Sequence, residues 1–171
     1  MSEGWSRQHE VERLADGRQS FDVSIPLRHF PRLAGQLAEN SGDAHVIASF
    51  SRELGLAVAD VSVDAALTLT CQRCLAAMRW PVTRRSHVVL VPDLAAADRV
   101  APGVDPVMVE HGRTSIRDLA EEELLLALPL VAMHAEAAQC GGVAVDAAPD
   151  VEPEKTHKPF AQLGELLKRN R

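Results

Sequence analysis

The sequence has few aromatic residues and few cysteines for its length. Aromatic residues make up 4% of the 171 residues, and Tyr is absent. A surface that stacks single-stranded nucleic acid on several aromatic rings therefore has little to be built from. Three cysteines are also too few for the disulfide framework of a small secreted domain, so we expect a reducing compartment.

Long apolar segments and targeting signals are missing as well. The longest apolar run, residues 124–133, is interrupted by Pro129 and is well short of the roughly 20 residues that cross a bilayer. The first twenty residues contain acids and lack a cationic end followed by an apolar stretch. They therefore do not have the pattern of a secretory signal. We expect a cytoplasmic protein with no membrane partner and with an N-terminal extension at residues 1–20.

Basic residues are scarce overall but concentrated in two places. The net charge is −6, yet residues 71–91 carry four arginines and no acid, and residues 155–171 carry five basic residues and one acid. Residues 92–154 hold thirteen acidic and three basic residues. This uneven distribution of charge gives information about binding partners and not about the fold. The basic islands are expected to bind phosphates, and the acidic segment is expected to bind a basic protein.

The hydropathy pattern predicts an α+β fold. Apolar residues occupy the odd positions of residues 61–71, which predicts a long strand with one buried face. Shorter strands are expected at 21–27, at a sheet edge, and at 45–54 and 81–91. Helices are expected at 31–39 and from a Ser115 cap to about residue 128, and residues 95–106 are expected to form a loose loop. We expect one domain at 21–140 with a mainly antiparallel sheet or partly open barrel and a few packed helices.

The C-terminal residues differ in composition from this domain. Residues 141–156 are rich in Ala, Pro, Gly and acids, which predicts a flexible acidic linker. Residues 157–171 predict a basic amphipathic helix. Its apolar face consists of Phe160, Leu163, Leu166 and Leu167.

Cys71 and Cys74 form the most suggestive local motif. Two residues between thiolates allow both sulfurs to reach one tetrahedral zinc ion, and His134 and Cys140 can supply the other two ligands. Four protein ligands would make the zinc structural. Two alternatives stay open: a redox dithiol, or small core and turn residues without a metal.

The arginines around this motif can contact phosphates. The candidate binding residues of this island are Arg73, Arg79, Trp80, Arg84 and Arg85, and those of the C-terminal island are Lys168, Arg169 and Arg171. On a hairpin the first set would form a cationic edge, with Trp80 able to stack on a base. The alternative is an ion-paired surface with Trp80 in the core.

Motifs for catalysis are absent. The sequence has no glycine-rich phosphate loop, no HExxH and no GxSxG. Consecutive helical residues point about 100° apart, so Glu121, Glu122 and Glu123 cannot converge on one atom, and we expect them on a solvated helix face. The sequence therefore predicts no enzyme, no catalytic residue and no small-molecule substrate.

Three sequence features follow one another along the chain: CQRCL at 71–75, LALPLVAMH at 126–134 followed by Cys140, and KPFAQLGEL at 158–166. In this order they resemble the YceD family, the large ribosomal RNA subunit accumulation proteins of bacteria and plastids. The Cys pair followed by His and Cys is similar to the family arrangement. Lys158 stands where the family usually has Asn or Asp, and the first twenty residues lie outside the resemblance.

The resemblance implies a noncatalytic cytoplasmic factor that supports accumulation of 23S rRNA and large-subunit biogenesis. The expected partner is 23S rRNA or its precursor, or else a basic large-subunit ribosomal protein held by the acidic segment 92–154. Two other functions stay open: a structural zinc-binding module for protein contacts, and a CxxC thiol-disulfide enzyme.

Overall fold

The computed structural model describes residues 4–140. The linker and the C-terminal helix expected from the sequence lie outside the described residues. The strands are β1 (His9–Glu10), β2 (Ser20–Pro26), β3 (Asp43–Glu53), β4 (Leu56–Thr70), β5 (Ala77–Val91), β6 (Asp105–Met108) and β7 (Arg113–Thr114). The α-helices are α1 (Val11–Asp16), α2 (Pro31–Ala34), α3 (Leu94–Ala97) and α4 (Ile116–Leu126).

The main sheet has five strands in the order β2-β3-β4-β5-β6 and confirms the predicted α+β class. Its first four strands are antiparallel neighbours, whereas β6 runs parallel to β5. The sheet is open rather than closed into a barrel. β4 and β5 form a hairpin of fifteen residues a strand, and its tip projects past the end of β3.

The alternation in β4 creates the buried face of the sheet. Val61, Val63, Leu67 and Leu69 point inward and are at most 3% exposed, because successive strand residues face opposite sides. Helix α4 packs against β3, β4 and β5 on this face. Ser115 caps α4 as predicted, since its Oγ accepts a hydrogen bond from the Asp118 backbone N–H at 3.1 Å.

Residues near the N-terminus join the same core. Trp5, Val11, Leu14 and Ala15 are buried in the cluster that also contains the β4 and α4 side chains. The segment expected as an extension therefore contributes apolar contacts to the domain, through α1 and the 3-10 turn at Gly4–Ser6.

Two local expectations differ from the structure. The helix expected at 31–39 ends at Ala34, because Gly35 follows it and glycine has low helix propensity. Residues 95–106 were expected to be a loose loop, but they contain most of α3 and the start of β6. Within residues 4–140, no helix is long and apolar enough to cross a membrane.

Candidate functional site

The tip of the β4–β5 hairpin is a tight turn that places two cysteines side by side. The Cys71 backbone N–H donates to the Ala76 carbonyl at 2.9 Å, and the Leu75 N–H donates to the Cys71 carbonyl at 2.8 Å. Leu75 has φ of +60°, a left-handed conformation that reverses the chain directly after Cys74.

A second segment, after α4, closes over this tip. The Gln72 N–H donates to the Ala132 carbonyl at 2.7 Å, which joins the two segments. A single 3-10 turn at Ala137–Gln139 then returns the chain, so that Cys140 Sγ lies 3.5 Å from His134 Nδ1.

The structure thus brings together the four residues that the sequence suggested as metal ligands. One ligand atom from each of Cys71, Cys74, His134 and Cys140 lies within 4.8 Å of the other three. Cys71 Sγ is 4.0 Å from Cys140 Sγ, and Cys74 Sγ is 3.6 Å from His134 Nδ1. All three cysteines are free thiols. The cluster can hold a metal ion.

The electrostatics of the cluster suit a cation. Burial raises the pKa of the Cys71 thiol, but hydrogen bonds from backbone N–H groups and from the Cys74 thiol outweigh burial and lower the pKa to about 5. These backbone groups belong to His134, Cys74 and Arg73. Burial raises the pKa of Cys140, and the thiols of Cys74 and Cys71 raise it further. A bound cation favours the thiolate forms of all three.

Two of the predicted phosphate-contacting residues have a partner on helix α4 or just after it, although the Arg84 side chain remains 43% exposed. The Arg84 Nε lies 3.5 Å from Glu123 Oε2 on α4. Trp80 is half-buried against the core, and its indole N–H donates to the Ala127 carbonyl at 3.3 Å. Both side chains therefore have partners inside the domain.

The other three hairpin arginines are also exposed, and none of them pairs with a carboxylate of residues 4–140. Arg79 and Arg85 lie on the face of β5 opposite to α4, and within residues 4–140 neither side chain makes a hydrogen bond or an ion pair. Arg73, at the tip, contacts the sulfur atoms of Met133 and Cys140 at 3.9 and 4.0 Å, and no carboxylate of the described residues pairs with it. Lys168, Arg169 and Arg171 lie outside the described residues.

The expectation that the glutamates of α4 are solvated is wrong for two of them. Glu121 is only 2% exposed, and its Oε1 accepts hydrogen bonds from the backbone N–H groups of Arg32 and Leu33 at 2.7 and 3.2 Å. Glu123 is buried beside Arg84. Two carboxylates of the acidic segment 92–154 therefore lie inside the domain, where they are not available to a basic partner.

Comparison with known proteins matches this chain to one family. A family model described as "Large ribosomal RNA subunit accumulation protein YceD" matches residues 59–167. A Haemophilus influenzae protein with the same description is 30% identical over 165 residues, which cover 91% of this chain and 93% of that protein. No solved structure matches the chain significantly. The chain belongs to the YceD family.

Proposed function

We propose that this chain is a noncatalytic cytoplasmic factor that supports accumulation of 23S rRNA, and thereby large-subunit biogenesis, by binding the RNA through its β4–β5 hairpin. The YceD family is named for accumulation of the large ribosomal RNA subunit and not for a reaction. We further propose that the hairpin tip is held in shape by one structural zinc ion.

The spacing of the ligand atoms supports zinc. Zinc bonds of about 2.3 Å to sulfur and 2.0–2.1 Å to nitrogen, in a tetrahedron, require about 3.8 Å between two sulfurs and about 3.6 Å between sulfur and nitrogen. The corresponding distances here are 4.0 Å for Cys71–Cys140, 3.6 Å for Cys74–His134 and 3.5 Å for Cys140–His134. Four protein ligands fill the tetrahedron, so the metal would hold the tip to residues 132–140 and leave no position for substrate.

The burial of Cys71 argues against the thiol-enzyme alternative. Its thiol has the lowered pKa that a nucleophile needs. The residue is nevertheless fully buried, and its sulfur faces the other ligands of the cluster rather than solvent. A thiol that has a lowered pKa but is not accessible to a substrate fits a metal ligand better than a nucleophile.

The observation that carries RNA binding is the set of unpaired hairpin arginines. Arg73, Arg79 and Arg85 are exposed and form no ion pair with a carboxylate of residues 4–140, so no internal pair has to be broken when they contact phosphates. The net charge of −6 opposes binding at long range, but screening limits that effect to about 8–10 Å at physiological salt. Local basic residues then decide the contact.

The test is the salt dependence of RNA binding by the purified full chain with zinc present. Each phosphate contact to single-stranded RNA contributes about 0.7 to the slope of log affinity against log salt. The double variant Arg79→Gln/Arg85→Gln should therefore lower the slope by about 1.4 and weaken binding at every sequence.

The matched control is Arg7→Gln/Arg18→Gln, which removes the same charge from two exposed arginines outside the hairpin. It should leave the slope unchanged. Equal losses in both double variants would show that only net charge matters and would refute the hairpin as the RNA contact.

A further inference from the structure

A groove on the helix-facing side of the hairpin tip is the second feature of this site. It has a volume of about 310 Å³ and lies between the tip and the segment that follows α4. Its apolar walls are Leu69, Leu75, Leu128, Pro129, Leu130 and Ala132. This volume is at the lower limit for pockets that hold drug-sized ligands, so it suits one planar base or one large side chain.

The polar groups of the groove favour a base over an apolar side chain. Gln36, Thr70 and Gln72 also line it. Each amide offers both a donor and an acceptor, and the hydroxyl can act as either, which matches the exposed edges of an unpaired nucleobase. Arg73 follows Gln72 at the tip and has no carboxylate partner among the described residues, so its positive charge lies near the groove and is available to a phosphate.

Two leucines that line the groove are largely exposed and contribute little to the packing of the core. Leu130 is fully exposed, and Leu75 is 76% exposed. Leu75 also holds the left-handed conformation at φ +60°, which glycine adopts with less strain. Leu54 shares both properties, so they do not mark a binding residue by themselves; Leu75 differs because it lines the groove together with the exposed Leu130.

We infer that the groove binds one unpaired base of single-stranded RNA, with apolar contact from Leu75 and Leu130 and edge recognition by Gln36, Thr70 and Gln72. This inference rests on the RNA binding proposed above and adds a preference for unpaired over duplex RNA. Arg79 and Arg85 on the opposite face hold backbone phosphates of either form.

The experiment compares Leu75→Gly with Leu54→Gly. Leu54 also has a positive φ, +49°, and is fully exposed, but it lies in the β3–β4 turn at the other end of β4. Fluorescence anisotropy of a short unstructured RNA and of a duplex made from it measures the two affinities for each full-length variant. Thermal unfolding and metal content are recorded alongside.

Leu75→Gly should weaken binding of the unstructured RNA by about tenfold, because it removes the apolar area that Leu75 would bury against the base, and leave duplex binding unchanged. Its thermal stability should stay the same or rise, since glycine suits the backbone. Leu54→Gly should change neither affinity.

The outcomes separate the two proposals. Equal affinity of the wild type for unstructured and duplex RNA, or an unchanged preference in Leu75→Gly, would overturn the base-binding groove and leave phosphate binding by the arginines standing. Absence of any RNA binding at low salt would overturn both. Photocrosslinks from position 75 in growing cells that reach only protein would overturn the groove in favour of a protein partner.

Discussion

Replacing Glu121 by alanine should destabilise the fold far more than replacing its neighbour Glu122. Glu121 accepts hydrogen bonds from the backbone N–H groups of Arg32 and Leu33 at the start of α2. Alanine leaves the buried Leu33 N–H without this partner, which costs about 1–3 kcal/mol, and removes the hydrogen bond from the Arg32 N–H, which costs about 1 kcal/mol. The ion pair with Arg32 adds little, because the Arg32 side chain is half exposed.

The expected loss in the free energy of unfolding is therefore about 2–4 kcal/mol, measured from urea unfolding curves followed by circular dichroism. Glu122→Ala is the matched control, since Glu122 is 47% exposed and pairs only with the Arg32 side chain in the described structure. It should change stability by less than about 0.5 kcal/mol. Similar small losses in both variants would show that Glu121 does not stabilise the start of α2 and would refute the burial argument.

Three further predictions concern the metal, pH and the core. Purified protein should contain one zinc per chain by mass spectrometry, and Cys74→Ser should lower metal content while far-UV circular dichroism still reports the sheet, because most core residues lie outside the tip. The hydrogen bond from His87 to Asp60 raises the pKa of His87, so its stabilisation is present below the ordinary histidine pKa and is lost as pH rises through the raised value. His87→Gln should remove this part of the pH dependence of urea midpoints. Leu124→Ala should cost about 2–5 kcal/mol because Leu124 is fully buried, whereas Leu126→Ala at an exposed position should change the urea midpoint little.

The sequence predicted those parts of the fold that are determined by residues close together in the chain. Strand β4 follows from strict alternation, and the start of α4 follows from the Ser115 hydroxyl that caps it. The ligand cluster was suggested by residue type and order, since Cys71 and Cys74 need a distant His and Cys to complete a tetrahedron. The distances between those residues required the folded chain.

The parts that the sequence did not predict depend on tertiary contacts. Glu121 and Glu123 point about 200° apart on α4, and both are buried because α2 covers one and β5 covers the other. Strand β6 is short and contains Pro106, and only its pairing with β5 makes it a strand. Trp5 carries no periodic signal that marks it as part of the core.

The groove beside the ligand cluster was also beyond sequence analysis. Gln36 comes from the loop after α2, Gln72 from the hairpin tip and Leu130 from the segment after α4. Residues this far apart in sequence carry no common motif. The left-handed conformation of Leu75 likewise shows only in the backbone, because no glycine marks the turn.

Ultraviolet crosslinking in growing cells, followed by identification of the crosslinked peptides, tests the central claim most directly. The account predicts fragments of large-subunit ribosomal RNA or its precursor attached to peptides that contain residues 72–85. Ribosomal RNA attached only to peptides outside the hairpin, or hairpin peptides attached only to protein, would contradict it.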